Sequence, residues 1–217
     1  MTRDEIIKRV DAIDQIVTLA TSFLSVYESI GNASVNRLTE LNYAPGFFGL
    51  VSKALLQGIF LETTKLFSPK EDYSIKKFLN MSEQYLPKIH VMKPDIEEIE
   101  CGDVNLAFGF KMDTNSLFIK EKIKNWQMEH DGFCKKVKNL REQRDKYYAH
   151  CDKKYMDNLE TLFADFPISF NELRDLLTFA SSVCNGVRVY LTGVDLDHRL
   201  SNSGDLSGLL DALYQDH

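Results

Sequence analysis

The segment Asn115–Cys151, NSLFIKEKIKNWQMEHDGFCKKVKNLREQRDKYYAHC, decides the fold. Ile119, Ile123, Trp126, His130, Phe133, Val137, Leu140, Arg144 and Tyr147 recur by threes and fours, the period of one face of an α-helix. Asn115 or Ser116 can cap its start. Unbroken, the pattern predicts a helix of about 35 residues, roughly 50 Å long, with Gly132 as its weak point. A helix of that length needs neighbours along all of it, and the flanking sequence supplies them.

On the C-terminal side, Tyr155 to Ala164 carries a shorter helical pattern. After Pro167, the capping box Ser169-x-x-Glu172 launches a long helix. Its stripe is Leu173, Leu176, Leu177, Ala180, Cys184, Val187 and Leu191, ending at Gly193. On the N-terminal side, Thr2-x-x-Glu5 is a second capping box, and Ile6, Val10, Ile13, Val17, Ala20, Leu24 and Tyr27 follow at helical spacing, with Gly31 the expected stop. A short helical stretch reaches Ala44. Pro45 then opens a helix to Ser68, and Ser74 caps another that ends at Pro87. The expectation is an all-α bundle of about five or six helices in a single domain over 1–193.

Two regions break the pattern. Residues 88–115 lose the helical period and hold Pro94, Gly102, Gly109 and the acidic run Asp95–Glu100. They are expected to form an irregular insertion or loop, with a short hairpin around Val104–Lys111. The tail, 194–217, is polar except for Leu206, Leu209, Leu210 and Leu213. That face either folds back on the core or meets a partner.

Composition bounds the function. The chain has 217 residues, 44% hydrophobic, with a formal net charge of −6; it can build a core and is not disordered. Its most apolar run, Gly46–Leu61, is interrupted by Ser52, Lys53 and Gln57, so no membrane span is expected. No secretory signal pattern opens the chain, and a cytoplasmic location is expected. Cys101, Cys134, Cys151 and Cys184 form no CxxC pair and are expected as free thiols. His130-x-x-x-Cys134 offers only two ligands, so core packing is expected there and neither a metal nor another cofactor is assigned. Phosphate-cradling glycine loops, dinucleotide fingerprints and nucleophile elbows are absent from the sequence. Trp126 and the phenylalanines are expected in the core.

The charge is bipolar. Lys120–Lys154 holds eleven lysines and arginines against six acids, a balance of +5, against −11 elsewhere. Such a local surface attracts phosphates, although solvated basic helix faces are common without any ligand. The densest polar cluster, Leu140–Asp152, lies at the far end of this region. It places Arg144, Asp145 and His150 near the end of the expected helix. On an ideal α-helix Arg144 and His150 stand about 120° apart and do not meet without a kink or a second chain.

Arg144-Asp145-Lys146-Tyr147-Tyr148-Ala149-His150-Cys151-Asp152 resembles the Arg-Asp-Lys-x-x-Ala-His-x-Asp pattern of the abortive-infection (AbiU-type) branch of the HEPN superfamily. In that superfamily an arginine, a polar residue and a histidine four to six places beyond the arginine close a helix of a small bundle. Leu61–Leu79 and Ser169–Gly193 look similar as well, and the resemblance covers most of Ser34–Gly193, with 88–111 as an insertion. It implies a homodimer in which two copies of Arg144 and His150 share one cleft and cleave RNA without a metal, in phage defence or toxin–antitoxin biology. In that arrangement Arg144, Asp145 and His150 are the catalytic candidates, Lys146, Tyr147 and Arg141 the substrate contacts, and an antitoxin or other defence protein a further partner. The chemistry agrees. A histidine titrating near 6.5 can take the proton of a ribose 2′-OH, and arginine's planar fork suits a phosphate gathering charge. Active members often carry asparagine where Asp145 stands, so a non-catalytic helical module that binds RNA or a protein is the alternative.

Overall fold

The computed structural model describes residues 1–89, 116–149, 152–156, 158–195 and 204–215. Among the described residues the chain is all-α, with no strand. The expected irregular insertion falls almost wholly on 90–115, its hairpin included, outside the described residues.

Helix α1 (Arg3–Asn36) opens with its capping box complete: Glu5 N–H donates to Thr2 Oγ1 at 3.2 Å and Thr2 N–H to Glu5 Oε2 at 2.7 Å. It does not stop at Gly31. Ile30 and Ala33 are both buried, and Ala33 packs in a cluster with Leu41 and Phe48, so burial of the next turn outweighs the glycine's cost. After α2 (Leu38–Leu41), α3 (Pro45–Phe67) begins with proline where its missing N–H costs nothing. Helix α4 (Ile75–Tyr85) follows Ser74, whose hydroxyl is buried and makes no cap bond, and Pro87 lies in a 3₁₀ turn, Leu86–Lys88.

The segment expected as one 35-residue helix is three pieces. Helix α5 (Ser116–Gly132) ends at the weak point, α6 (Cys134–Gln143) restarts one residue later, and Arg144–Ala149 winds as a π-helix. Among the described residues the longest helix is therefore α1. Tyr155–Ala164 is likewise two pieces, α7 (Lys153–Met156) and α8 (Leu159–Asp165), because Asn158 caps a new start by accepting from Thr161 N–H. Helix α9 (Phe170–Thr192) carries the second capping box and ends on Gly193 at φ 72°, a left-handed position that favours glycine.

Helix α1 packs against both α3 and α9, α4 against α5, and α6 with the π turn against α3. The core gathers Ile6, Val10, Ile13 and Val17 of α1 with Ile59 and Phe60 of α3 and Leu176, Ala180 and Val187 of α9. Trp126 is buried as expected, and a Cβ at Gly186 would stand 2.6 Å from its ring. The phenylalanines divide: Phe78 is fully buried, whereas Phe47, Phe118, Phe163 and Phe170 are exposed. Helix α10 (Asp205–Gln215) folds back, burying Leu210 against Ala33, Leu41 and Phe48, while Arg37 reaches Asp211 at 2.7 Å. Leu209 stays exposed. Among the described residues no helix is long and apolar enough to cross a membrane.

Candidate active site

The polar cluster begins where α6 changes its winding. Arg144 N–H still donates to Leu140 and Arg141 carbonyls, but from Arg144 to Ala149 the pitch is that of a π-helix. Residues five apart stand about 140° apart on an α-helix and close to register on a π-helix, whose bonds run i→i+5. Gln143 and Tyr148 are five apart, and both turn inward. Gln143 is 1% exposed and donates through Nε2 to Phe166 O at 2.6 Å; Tyr148 stacks on Phe60 with centroids 4.4 Å apart. Burial pushes the Tyr148 phenol up, with Tyr147 and Tyr27 adding to the shift. Gln57 Nε2 of α3 donates to Tyr148 O at 3.2 Å. The widened turn is thus held from α3 and from the strap before α9.

Arg144 is half-buried. Its Nε lies 2.8 Å from Asp145 Oδ1, off the line of a hydrogen bond, so the charges pair while the buried Nε–H finds no acceptor among the described residues. Arg141, one turn earlier, has its Nε buried in the same condition. Tyr147 is half-buried, its ring edge-on to Tyr148 at 4.9 Å. Lys146 turns the other way. Its Nζ is 3.4 Å from Glu142 Oε2 and sits 5.5 and 5.6 Å from the ring centroids of Tyr155 and Phe166. His150 and Cys151 lie outside the described residues; Asp152 follows, its N–H donating to Lys146 O at 2.6 Å.

Arg141, Arg144, Asp145 and Tyr147 therefore share one short stretch of backbone, and Lys146 is drawn into a separate group. Sequence reasoning missed Gln57, Gln143, Tyr155 and Phe166, which hold the turn. Phe166 carried one signal, its place just before Pro167 and the capping box; the others depend on contacts between distant helices. The core packing expected at His130 and Cys134 holds for the histidine, which is buried facing Phe67 and Phe179, and not for Cys134, which is exposed on the next helix. Cys184 is buried, and burial raises its thiol.

One face of α3 bears on the site. Phe47, Leu50 and Ala54 follow at helical spacing, all exposed, and Gln57, which holds the π turn, continues the same stripe. Lys53 is the one charged residue between Pro45 and Leu61. Val35 and Leu38, just before α3 in the chain, are also exposed, at 80% and 56%.

Comparison with known proteins gives one match. The model of the HEPN family described as AbiU2 fits residues 3–200, a span that includes α1 to α9 and the whole Arg144–Asp152 segment. No curated protein and no solved structure matches the chain. Family model and all-helical fold agree over nearly the full length, and the chain belongs to the AbiU2 family of HEPN domains.

Proposed function

We propose that this chain is a metal-independent endoribonuclease, acting in phage defence or toxin–antitoxin biology, whose site is composed of Arg144 and His150 from two copies. The observation that carries this reading is the family match across the motif, joined to a half-buried Arg144 whose Nε–H lacks an acceptor among the described residues. A phosphate oxygen is the acceptor that such a guanidinium fits. His150 takes the proton of a ribose 2′-OH, the 2′ oxygen attacks phosphorus, and the 5′ oxygen leaves as a hydroxyl on taking a proton from solvent, with a 2′,3′-cyclic phosphate behind it. Arg144 stabilises the charge that grows on the phosphoryl oxygens. Asp145 orients the guanidinium, and Tyr147 and Arg141 contact the substrate. The apolar stripe on α3 is the surface on which a second copy docks, beside the turn that carries Arg144.

The test is direct. Purified protein should cleave RNA in EDTA and leave cyclic phosphate ends. Arg144→Ala and His150→Ala should each abolish cleavage while the oligomer survives. Cleavage that needs a divalent metal, or that persists in His150→Ala, refutes the mechanism.

One observation favours a second reading. Asp145 places a carboxylate 2.8 Å from Arg144 Nε, where it competes with phosphate. A non-catalytic module would bind RNA or a protein partner through this surface without forming product. Salt-dependent RNA binding by wild-type protein, with the RNA recovered intact, would select it.

A further inference from the structure

The α7–α8 hairpin is tied to the site by the Lys146 ammonium group and a few hydrogen bonds. Helix α7 has four residues, too few to stand alone, yet its Tyr155 is only 3% exposed. The Tyr155 ring meets Phe166 edge-on, centroids 6.3 Å apart at 68°, and its hydroxyl donates to Asp165 Oδ2 at 3.1 Å while accepting from Lys154 Nζ at 3.0 Å. The two crossed rings form a corner, and the Lys146 ammonium lies against both, with Glu142 at 3.4 Å. The lysine sits in the middle of the π turn, so its side chain joins the turn to the hairpin. Its backbone carbonyl makes a second tie by accepting from Asp152 N–H at 2.6 Å. Asn139 and Gln143 reinforce the junction through Pro167 O and Phe166 O, at 2.7 and 2.6 Å.

We propose that Lys146, Tyr155 and Phe166 form a positioning clamp that fixes the Arg144-bearing π turn against the α7–α8 hairpin, and that Lys146 serves this clamp and not the RNA. The inference rests on the ribonuclease reading for its effect on turnover, but the clamp itself has a readout that needs no activity. An ammonium between two aromatic faces and a carboxylate is already provided with electron-rich neighbours. Bringing it to a phosphate would take it out of the corner and leave the four-residue helix without its one side-chain tie to the turn. Arginine also packs on aromatic faces, so Lys146→Arg is the conservative replacement.

The experiment compares Lys146→Met, Lys146→Arg, Tyr155→Leu, Tyr155→Phe and Phe166→Leu in the full chain. It measures kcat and KM for RNA cleavage, the salt dependence of RNA binding, and hydrogen exchange of the Asp152 amide. Lys146→Met should lower kcat on the order of ten- to a hundred-fold, the cost of a misplaced group. KM and the slope of log K against log salt should stay as in wild type. Tyr155→Leu and Phe166→Leu should do the same, and neither should add to Lys146→Met. Lys146→Arg and Tyr155→Phe, which keep cation and ring, should retain turnover. Loss of about one lysine's share of the salt slope in Lys146→Met, with no effect of the ring variants, makes Lys146 a phosphate contact and overturns the proposal. If wild type cleaves no RNA, the ribonuclease reading fails alone and the clamp is judged by exchange. Faster exchange at Asp152 in Lys146→Met and Phe166→Leu supports it, and unchanged exchange in both overturns it.

Discussion

Leu50→Glu tests whether the α3 stripe is the surface between two copies. Leu50 is 69% exposed, so replacing it disturbs little within one copy, and unfolding should shift by no more than about 0.5 kcal/mol. Full burial of a leucine side chain is worth about 1.5–3 kcal/mol, and the share still exposed leaves about 1–2 kcal/mol to be gained at an interface. In a two-fold arrangement the same patch appears on both sides, so the loss doubles to about 2–4 kcal/mol. That is roughly a 30- to 1000-fold weaker dimer, before the added cost of desolvating two carboxylates. Sedimentation equilibrium over a concentration series reads the association constant, and thermal unfolding of the same samples reads the fold. RNA cleavage should fall with the dimer although Arg144 and His150 are untouched. A Leu50→Glu protein that associates as wild type does, or a wild type that stays monomeric with full cleavage, refutes the assignment of this stripe.

Asp145→Asn removes the carboxylate that pairs with Arg144 and should tighten RNA binding, steepening the salt slope by about 0.7 for a single strand; an unchanged slope in a binding titration would show that Asp145 does not shield the guanidinium. Gly186→Ala sets a methyl 2.6 Å from the Trp126 ring. The overlap costs about 1–3 kcal/mol and the helix regains up to about 1, so calorimetry should show a lower melting temperature, and the drop should vanish in a Trp126→Leu background. His130 is pushed below its ordinary pKa, first by burial and then by Lys76, with Asp131 opposing. The unfolded chain therefore takes up its proton first as pH falls. Stability should be full above about 6.5 and decline below it, by at most about 1.4 kcal/mol per pH unit, until the folded imidazole also protonates. Denaturant titrations should lose this part of the pH dependence in His130→Phe, and an unaltered profile would contradict the assignment.

Where the sequence was legible, local chemistry and burial agreed. Both capping boxes formed because hydroxyl and carboxylate stand three residues apart, and Gly193 ended α9 because that turn is left-handed. It misled where a distant contact outvoted a local signal. Gly31 reads as a stop, but Ala33 has Leu41, Phe48 and Leu210 to bury against, and the helix runs on to Asn36. The change of winding at Arg144 was illegible for the same reason. Nothing in the spacing of Gln143 and Tyr148 tells that one is claimed by Phe166 O and the other by the ring of Phe60. The motif residues were nameable from their order along the chain, whereas the residues that hold them, Gln57, Tyr155 and Phe166, come from helices 20 to 90 positions away or from contacts made only once the hairpin folds.

The π turn leaves unchanged what a second copy is needed for. Had α6 continued as an α-helix, the angle between Arg144 and position 150 would itself have called for a partner chain to complete the site. Wider winding from Arg144 to Ala149 does not remove that necessity, since residues six apart stand about 130° from one another on an ideal π-helix as well. The case for the partner rests on surface as well as on angle. It is the row of Phe47, Leu50 and Ala54, with Lys53 as the one charge from Pro45 to Leu61, running into Gln57 and the turn it holds. In the proposed dimer this apolar row, which ends at the candidate site, is covered by a second copy of itself instead of water, so that Leu50 is buried beside the turn that carries Arg144.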